Sequence, residues 1–195
     1  MEPSTTTSAA NDILAAARTL FQERGSTEVS VADVCALAGV SERLFYQYFE
    51  DTAAVGRLIL QQFLDTGLRR YQTLLEQAKP LTERLYDIMN WKATYTRQLS
   101  DEFLDELFQA TDPLIREVLD QHRKQRQAIL SHHLYRGIGK GELSDSLNVP
   151  FILYMMDEVS ELMSQEASIA MFPDANERMR ILTEFLFFGI VGPRR

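Results

Sequence analysis

Residues 30–49 read SVADVCALAGVSERLFYQYF, and the fold turns on how they are parsed. Ser30 and Asp33 have the S-x-x-D spacing of a capping box, where the serine oxygen accepts from a free helical N–H and the acid reaches back to the serine's own. Val31, Val34 and Cys35 then supply an apolar face to a short helix. It ends near Ala38-Gly39, where glycine tolerates the positive φ that a Cβ would strain. Ser41 caps a second short helix carrying Leu44, Phe45, Tyr48 and Phe49. Helix, glycine-bearing turn and capped second helix make a helix-turn-helix, whose second helix can enter a DNA major groove about 12 Å wide. Phe45, Tyr48 and Phe49 would face inward, leaving Glu42, Arg43, Tyr46 and Gln47 outward or lateral. Arginine forks onto guanine and glutamine onto adenine, so Arg43 and Gln47 are the candidate base readers. Tyr46, Ser41 and Ser30 can donate to phosphate, Ser30 together with the free N–H groups of its helix start.

Working outward, residues 1–10 (MEPSTTTSAA) are small and polar and read as a disordered lead-in. From Asn11 the apolar residues Ile13, Leu14, Ala17, Leu20 and Phe21 recur at helical spacing up to Gly25. Downstream, helices are expected over 51–77, 82–99, 101–109 and from Asp112-Pro113 through Leu134. The Gly- and Ser-rich stretch 137–149 is a loop, followed by a helix from Pro150 to about Met171 and a last one over 176–190. No period-2 strand and no repeat is evident. The expected fold is all-α, with about nine helices.

The 195-residue chain carries 20 Lys+Arg against 28 Asp+Glu, a formal net charge of −8. That balance excludes a protein that coats nucleic acid by bulk charge and leaves room only for a local reader. A single cysteine, Cys35, excludes a disulfide framework and fits a reducing compartment. No apolar run approaches the roughly 18–20 residues of a membrane span. Residues 1–11 lack the charged and apolar regions of a secretory signal, so the cytoplasm is expected and no membrane partner is.

Two further groups of residues stand out. Tyr86, Met89, Trp91, Tyr95, Phe103, Phe108, Phe151, Tyr154 and Met155 concentrate large apolar surface in the central helices and the start of the penultimate one. They can be ordinary core, or they can line a mostly apolar small-molecule pocket between helices, with Asp157 or Arg97 orienting a polar end. Near the C-terminus, Val159, Leu162 and Met163 share one helical face, as do Met179, Leu182, Phe185 and Leu186. Those faces either close the core of one chain or are covered by a second copy. Gly137-x-Gly139-x-Gly141 follows a helix rather than a strand and reads as a turn, not a phosphate loop. His122, His132 and His133 lack metal-ligand spacing, and no serine or cysteine has a recognisable base partner, so neither metal, cofactor nor catalytic activity is expected.

The segments ILAAARTLFQERG (13–25), SVADVCALAGVS (30–41) and LFYQYFED (44–51) resemble the tetracycline-repressor (TetR) family, densely over 13–55 and by helix lengths beyond it. The resemblance implies a DNA-binding head over 11–55 and a ligand-binding and dimerisation domain over 56–195. It implies a ligand-responsive regulator, most often a repressor, acting as a homodimer on a palindromic operator of double-stranded DNA. Ser30, Ser41, Tyr46, Gln47 and Tyr48 match positions that commonly touch DNA in that family, and Arg43 lies at a variable one. The implied effector is a mostly hydrophobic small molecule held by the central helices, and the last two helices would pair in the dimer. The chain departs from the pattern at Leu44, where a small hydroxyl residue is usual, and at Thr52, where lysine is usual. Residues 1–56 also hold only three arginines against eight carboxylates. An alternative follows: a dimer of the same fold that has lost operator binding and acts through a small-molecule or protein partner.

Overall fold

The computed structural model describes residues 5–191 except 102, 104 and 106–111. Among them are nine α-helices and no strand: α1 Thr5–Arg24, α2 Val31–Ala38, α3 Glu42–Phe45, α4 Thr52–Leu75, α5 Leu81–Tyr95, α6 Pro113–Gly139, α7 Val149–Glu161, α8 Glu166–Met171 and α9 Ala175–Val191. Short 3-10 turns, Thr96–Gln98 and Leu162–Ser164, follow α5 and α7.

Two hydrophobic cores share one helix. The first joins Ile13, Leu20 and Phe21 of α1 to Val34, Phe45 and the first half of α4, Val55 to Phe63. The second joins Tyr71, Leu74 and Leu75 at the other end of α4 to Leu85 and Ile88 of α5 and Leu130 and Leu134 of α6. No linker intervenes, since α4 runs unbroken from its Asp51 cap into the bundle. A shift of one core along α4 is therefore felt by the other. Gly137 sets how closely α6 meets α5, because a Cβ there would lie 2.5 Å from Leu81 Cδ2.

Three boundaries differ from the sequence expectation, the simplest being that α6 continues to Gly139, so Gly137 and Gly139 are helical rather than part of the loop read over 137–149. The first helix begins at Thr5, inside the segment read as a disordered lead-in, and Ala9 is already buried. Small Ala, Ser and Thr side chains carry no strong periodic signal, yet alanine propagates a helix best of all residues. The helix expected to run to Met171 breaks instead. Ser164 Oγ donates to the Glu161 carbonyl at 3.1 Å, and Gln165 is extended at φ −74, ψ 132. Such back-bonding by serine competes with the helical ladder. The break drives Met163 into the interior, 1% exposed.

The start of α9 is anchored by a buried arginine. Arg178 donates to the carbonyls of Phe172 (2.7 Å) and Pro173 (3.2 Å) and pairs with Asp105. Beside it, Asn176 donates to Asp101 at 2.7 Å. Removing the carboxylate leaves a fully buried guanidinium without its counter-charge. Asp105→Ala is expected to cost roughly 3 kcal/mol in chemical denaturation. A loss below about 0.5 kcal/mol, the range of ordinary surface changes, would show that the pair is solvated.

Candidate nucleic-acid interface and bundle interior

The helix-turn-helix is built by caps. Ser30 Oγ accepts from Asp33 N at 3.2 Å and donates to the Asp33 carboxylate at 2.5 Å, while Ser30 N donates to the same carboxylate at 3.0 Å. These bonds hold the Asp33 carboxyl below the usual carboxylate range. Gly39 ends α2 at φ 67, ψ 30, with open space where a Cβ would stand, so backbone conformation and not crowding selects glycine. Val40 N closes the turn onto Cys35 O at 3.1 Å. Ser41 Oγ then accepts from Leu44 N at 3.2 Å and starts α3, one turn that tightens into 3-10 bonds such as Tyr48 N to Phe45 O at 2.9 Å.

These caps decide which donors remain for phosphate. The Ser30 hydroxyl proton is committed to Asp33, whereas the Ser41 oxygen only accepts and its proton stays available. The helix start at Ser30 also places a carboxylate beside its N–H groups, which an incoming phosphate must meet. On α3, Phe45 is fully buried, and Tyr48 and Leu44 are partly buried. Glu42, Arg43, Tyr46 and Gln47 are exposed, as the helical spacing predicts. Tyr46 rests edge-on against the Phe45 ring at 5.6 Å and 83°. Among the described residues no hydrogen bond or ion pair engages the side chains of Arg43 or Gln47. Asp51 is spent on α4, accepting from Ala54 N at 2.7 Å, where its charge also suits the helix dipole.

The aromatic residues singled out in the centre do not gather in one place. Tyr95 stacks on Phe63 at 4.4 Å, donates its hydroxyl to Phe63 O at 2.8 Å, and meets Trp91 at 5.0 Å. Phe103 is buried in the head's core, 6.2 Å from Phe21. Tyr86, Met89 and Met155 are partly buried, Phe151 and Tyr154 are exposed, and Phe108 lies outside the described residues. Met89 borders a crevice between α5 and α9 that also touches Lys92, Met179 and Thr183. Asp157 is occupied by Gln127 (2.7 Å) and Arg123 (3.3 Å), and Arg97 is exposed.

Sequence reasoning missed two cations in this interior. Burial lowers Lys92 to about 7, with repulsion from Arg126 adding to it. Its ammonium donates to Thr183 Oγ1 at 3.4 Å. Arg126 has a buried Nε without a hydrogen-bond partner. Its charge also reaches Tyr71, whose phenol burial pushes far above its ordinary value. Neither cation has an ion-pair partner among the described residues. A signal did exist, since Lys92 stands four residues after Ile88, and Arg126 four before Leu130, on buried helix faces.

On the C-terminal helices, Val159, Leu162, Met179, Leu182 and Leu186 are partly buried and Met163 is enclosed by its own chain. Phe185 of α9 is 71% exposed, and Phe151 and Tyr154 of α7 and Met171 of α8 are exposed with it. No helix among the described residues is long and apolar enough to cross a membrane.

Residues 13–55 match the family described as bacterial regulatory proteins, tetR family. The HTH-type transcriptional repressor KstR2 of Mycolicibacterium smegmatis is 24% identical over 153 residues, 77% of this chain and 75% of that one. The fatty acid degradation regulator FadR of Bacillus halodurans superposes with a TM-score of 0.70 at 16% identity, covering 97% of this chain and 98% of that one. FadR of Bacillus subtilis, solved in complex with stearoyl-CoA, superposes with a TM-score of 0.67 at 17% identity, covering 94% and 99%.

Proposed function

We propose that the chain is a transcriptional regulator of the TetR type, a cytoplasmic repressor that binds a palindromic operator as a homodimer and leaves it when a small molecule enters the bundle; the family match over residues 13–55 and the likeness to KstR2 support this reading. The observation that carries the reading is the outward face of α3. There, two caps hold Arg43 and Gln47 exposed and unengaged, inside the segment that matches the family. Residues 11–55 form the reading head and 56–195 the ligand-binding and dimerisation part. Arg43 and Gln47 read base edges. Tyr46 and Ser41 donate hydroxyls to phosphate, as does the half-buried Tyr48 from the edge of the helix, while the Asp33 carboxylate at the Ser30 helix start weakens that position as a phosphate contact.

A second copy would cover the exposed Phe185 together with Val159, Leu162, Met179, Leu182 and Leu186, and would set two heads on half-sites a helical turn or a multiple apart. The effector has an apolar body, as the stearoyl-CoA of the Bacillus subtilis relative does, and Trp91, Tyr95 and Met89 with the partly buried Tyr86 and Met155 are the nearest apolar side chains to receive it. Lys92 and Arg126 supply a positive end to the same interior. Since α4 packs into both cores, an effector that favours one bundle state shifts the head. A preference of about 100-fold amounts to roughly 2.7 kcal/mol of coupling.

The test is selection of random duplex DNA by the purified protein at about 50 mM salt, where phosphate contacts are least screened. A palindrome with two half-sites is expected. Arg43→Ala should then weaken binding by about 1–3 kcal/mol and relax preference at one position per half-site. No enrichment by folded, dimeric protein would sink the operator reading.

A further inference from the structure

A cavity of about 630 Å³ opens where the end of α4, the start of α5 and the last turns of α6 meet. That volume lies within the range of about 300–1,000 Å³ typical of small-molecule sites. It stands at the opposite end of α4 from the head, roughly 35 Å away at 1.5 Å per helical residue. None of the aromatic residues discussed above lines it.

Its charge runs against that of the molecule. Lys79, Arg84, Arg136 and Lys140 line it against only Glu76 and Glu142, in a chain whose net charge is −8. Lys79 is neutralised by Asp87 at 2.7 Å, outside the lining. Arg84 is buried, donates to the Leu75 carbonyl, and faces Glu142 at 3.4 Å, while its Nε has no partner. Glu142 is shared, accepting from Leu81 N at 2.7 Å, a bond that does most to lower its carboxyl's affinity for a proton. Arg136 and Lys140 have no ion-pair partner among the described residues. His133, buried beside Arg84 at 3.4 Å, reports the same field: burial first, then the Arg84 charge, lowers its pKa. Leu75, Ala78 and Pro80 add apolar wall.

We propose that this cavity binds a small anion, its phosphate or carboxylate group held by Arg136 and Lys140 over the floor that Arg84 and His133 form. The site is separate from both the reading head and the Lys92–Arg126 interior, so it does not depend on the operator reading.

Isothermal titration of the full chain at low salt, with pyrophosphate and with citrate as the two probes, tests the proposal without DNA. Saturable binding of one equivalent per chain is expected for at least one probe, and the preferred probe tells phosphate from carboxylate chemistry. Arg136→Gln/Lys140→Gln should weaken it by roughly tenfold or more, because two charge-assisted contacts are lost. Both side chains are exposed, so the fold should survive the change. Arg70→Gln/Lys124→Gln removes the same charge from exposed positions outside the cavity and should leave affinity unchanged. The proton resonances of the His133 ring should move on titration in the wild type and stay still in the cavity variant. Binding of neither probe, or an equal loss in both double variants, overturns the site.

Discussion

Replacing Glu42 and Thr52 by lysine is expected to tighten DNA binding on the order of a hundredfold at about 50 mM salt and to steepen the salt dependence by about 1.8 in log–log slope. Glu42 is the first residue of α3 and exposed, next to Arg43, and Thr52 opens α4. In the proposed operator complex both would lie close to the backbone of a duplex that receives α3. Each lysine that neutralises a phosphate releases counterions, which accounts for the slope and for most of the gain. The cost within the protein is small. Each cation at a helix N-terminus loses about 0.3–1 kcal/mol against the dipole, a cost to folding rather than to DNA binding. The head has so few cations to begin with that two more change its balance. Arg18 donates to Gln62 and Arg24 faces Asp33 at 4.0 Å, which leaves Arg43 as the arginine of the head free to meet DNA.

The form of the gain matters as much as its size. If the wild-type head reads an operator, the double variant should keep the preferred sequence while binding it more tightly, because Arg43 and Gln47 are untouched. If only sequence-independent binding rises, the head has lost its reading function and the operator hypothesis fails. Salt titrations on operator and scrambled duplexes separate the two outcomes, since non-specific binding is almost wholly the counterion term.

Much of the head was legible in the sequence because its determinants are local. Ser30 with Asp33, Gly39 and Ser41 are caps and turns whose partners lie within four residues, and each stands in the structure as its spacing implies. The outward set on α3 follows from the same short-range periodicity. What was not legible depends on distant partners. Phe103 reads as a central aromatic, but Phe21 of α1 draws it into the core of the head. The break after α7 rests on a serine hydroxyl choosing a carbonyl over solvent, which spacing cannot foresee. The charge of the distal cavity comes from the α4–α5 connection, α5, α6 and the turn after it, four segments spread over more than sixty residues.

The interior cation lends itself to a test of a different kind, because a half-buried lysine without an ion-pair partner costs stability that a neutral residue would not. Lys92→Met is expected to stabilise the chain by roughly 3 kcal/mol at about pH 6, a figure discounted for the partial exposure of the residue. For a chain of this length that is about 8 °C in melting temperature. The sign follows from the two pKa values. The ammonium titrates at about 7 in the folded chain against 10.5 without burial. Between them the unfolded chain binds the extra proton, so wild-type stability rises with pH relative to the variant. The gap should be widest below about pH 7, shrink steadily, and close above about 10.5. Thermal melts of both proteins across that range check it, and a gap that stays flat would mean the ammonium is solvated. Stabilising a site that function uses typically costs activity, so the response to effector shows whether Lys92 is such a site. The more stable variant should therefore bind operator normally yet respond weakly to an effector with an acidic end, because the charge that greets that end is gone. A variant that is both more stable and fully responsive would assign the anionic end elsewhere and leave Lys92 without a role in release.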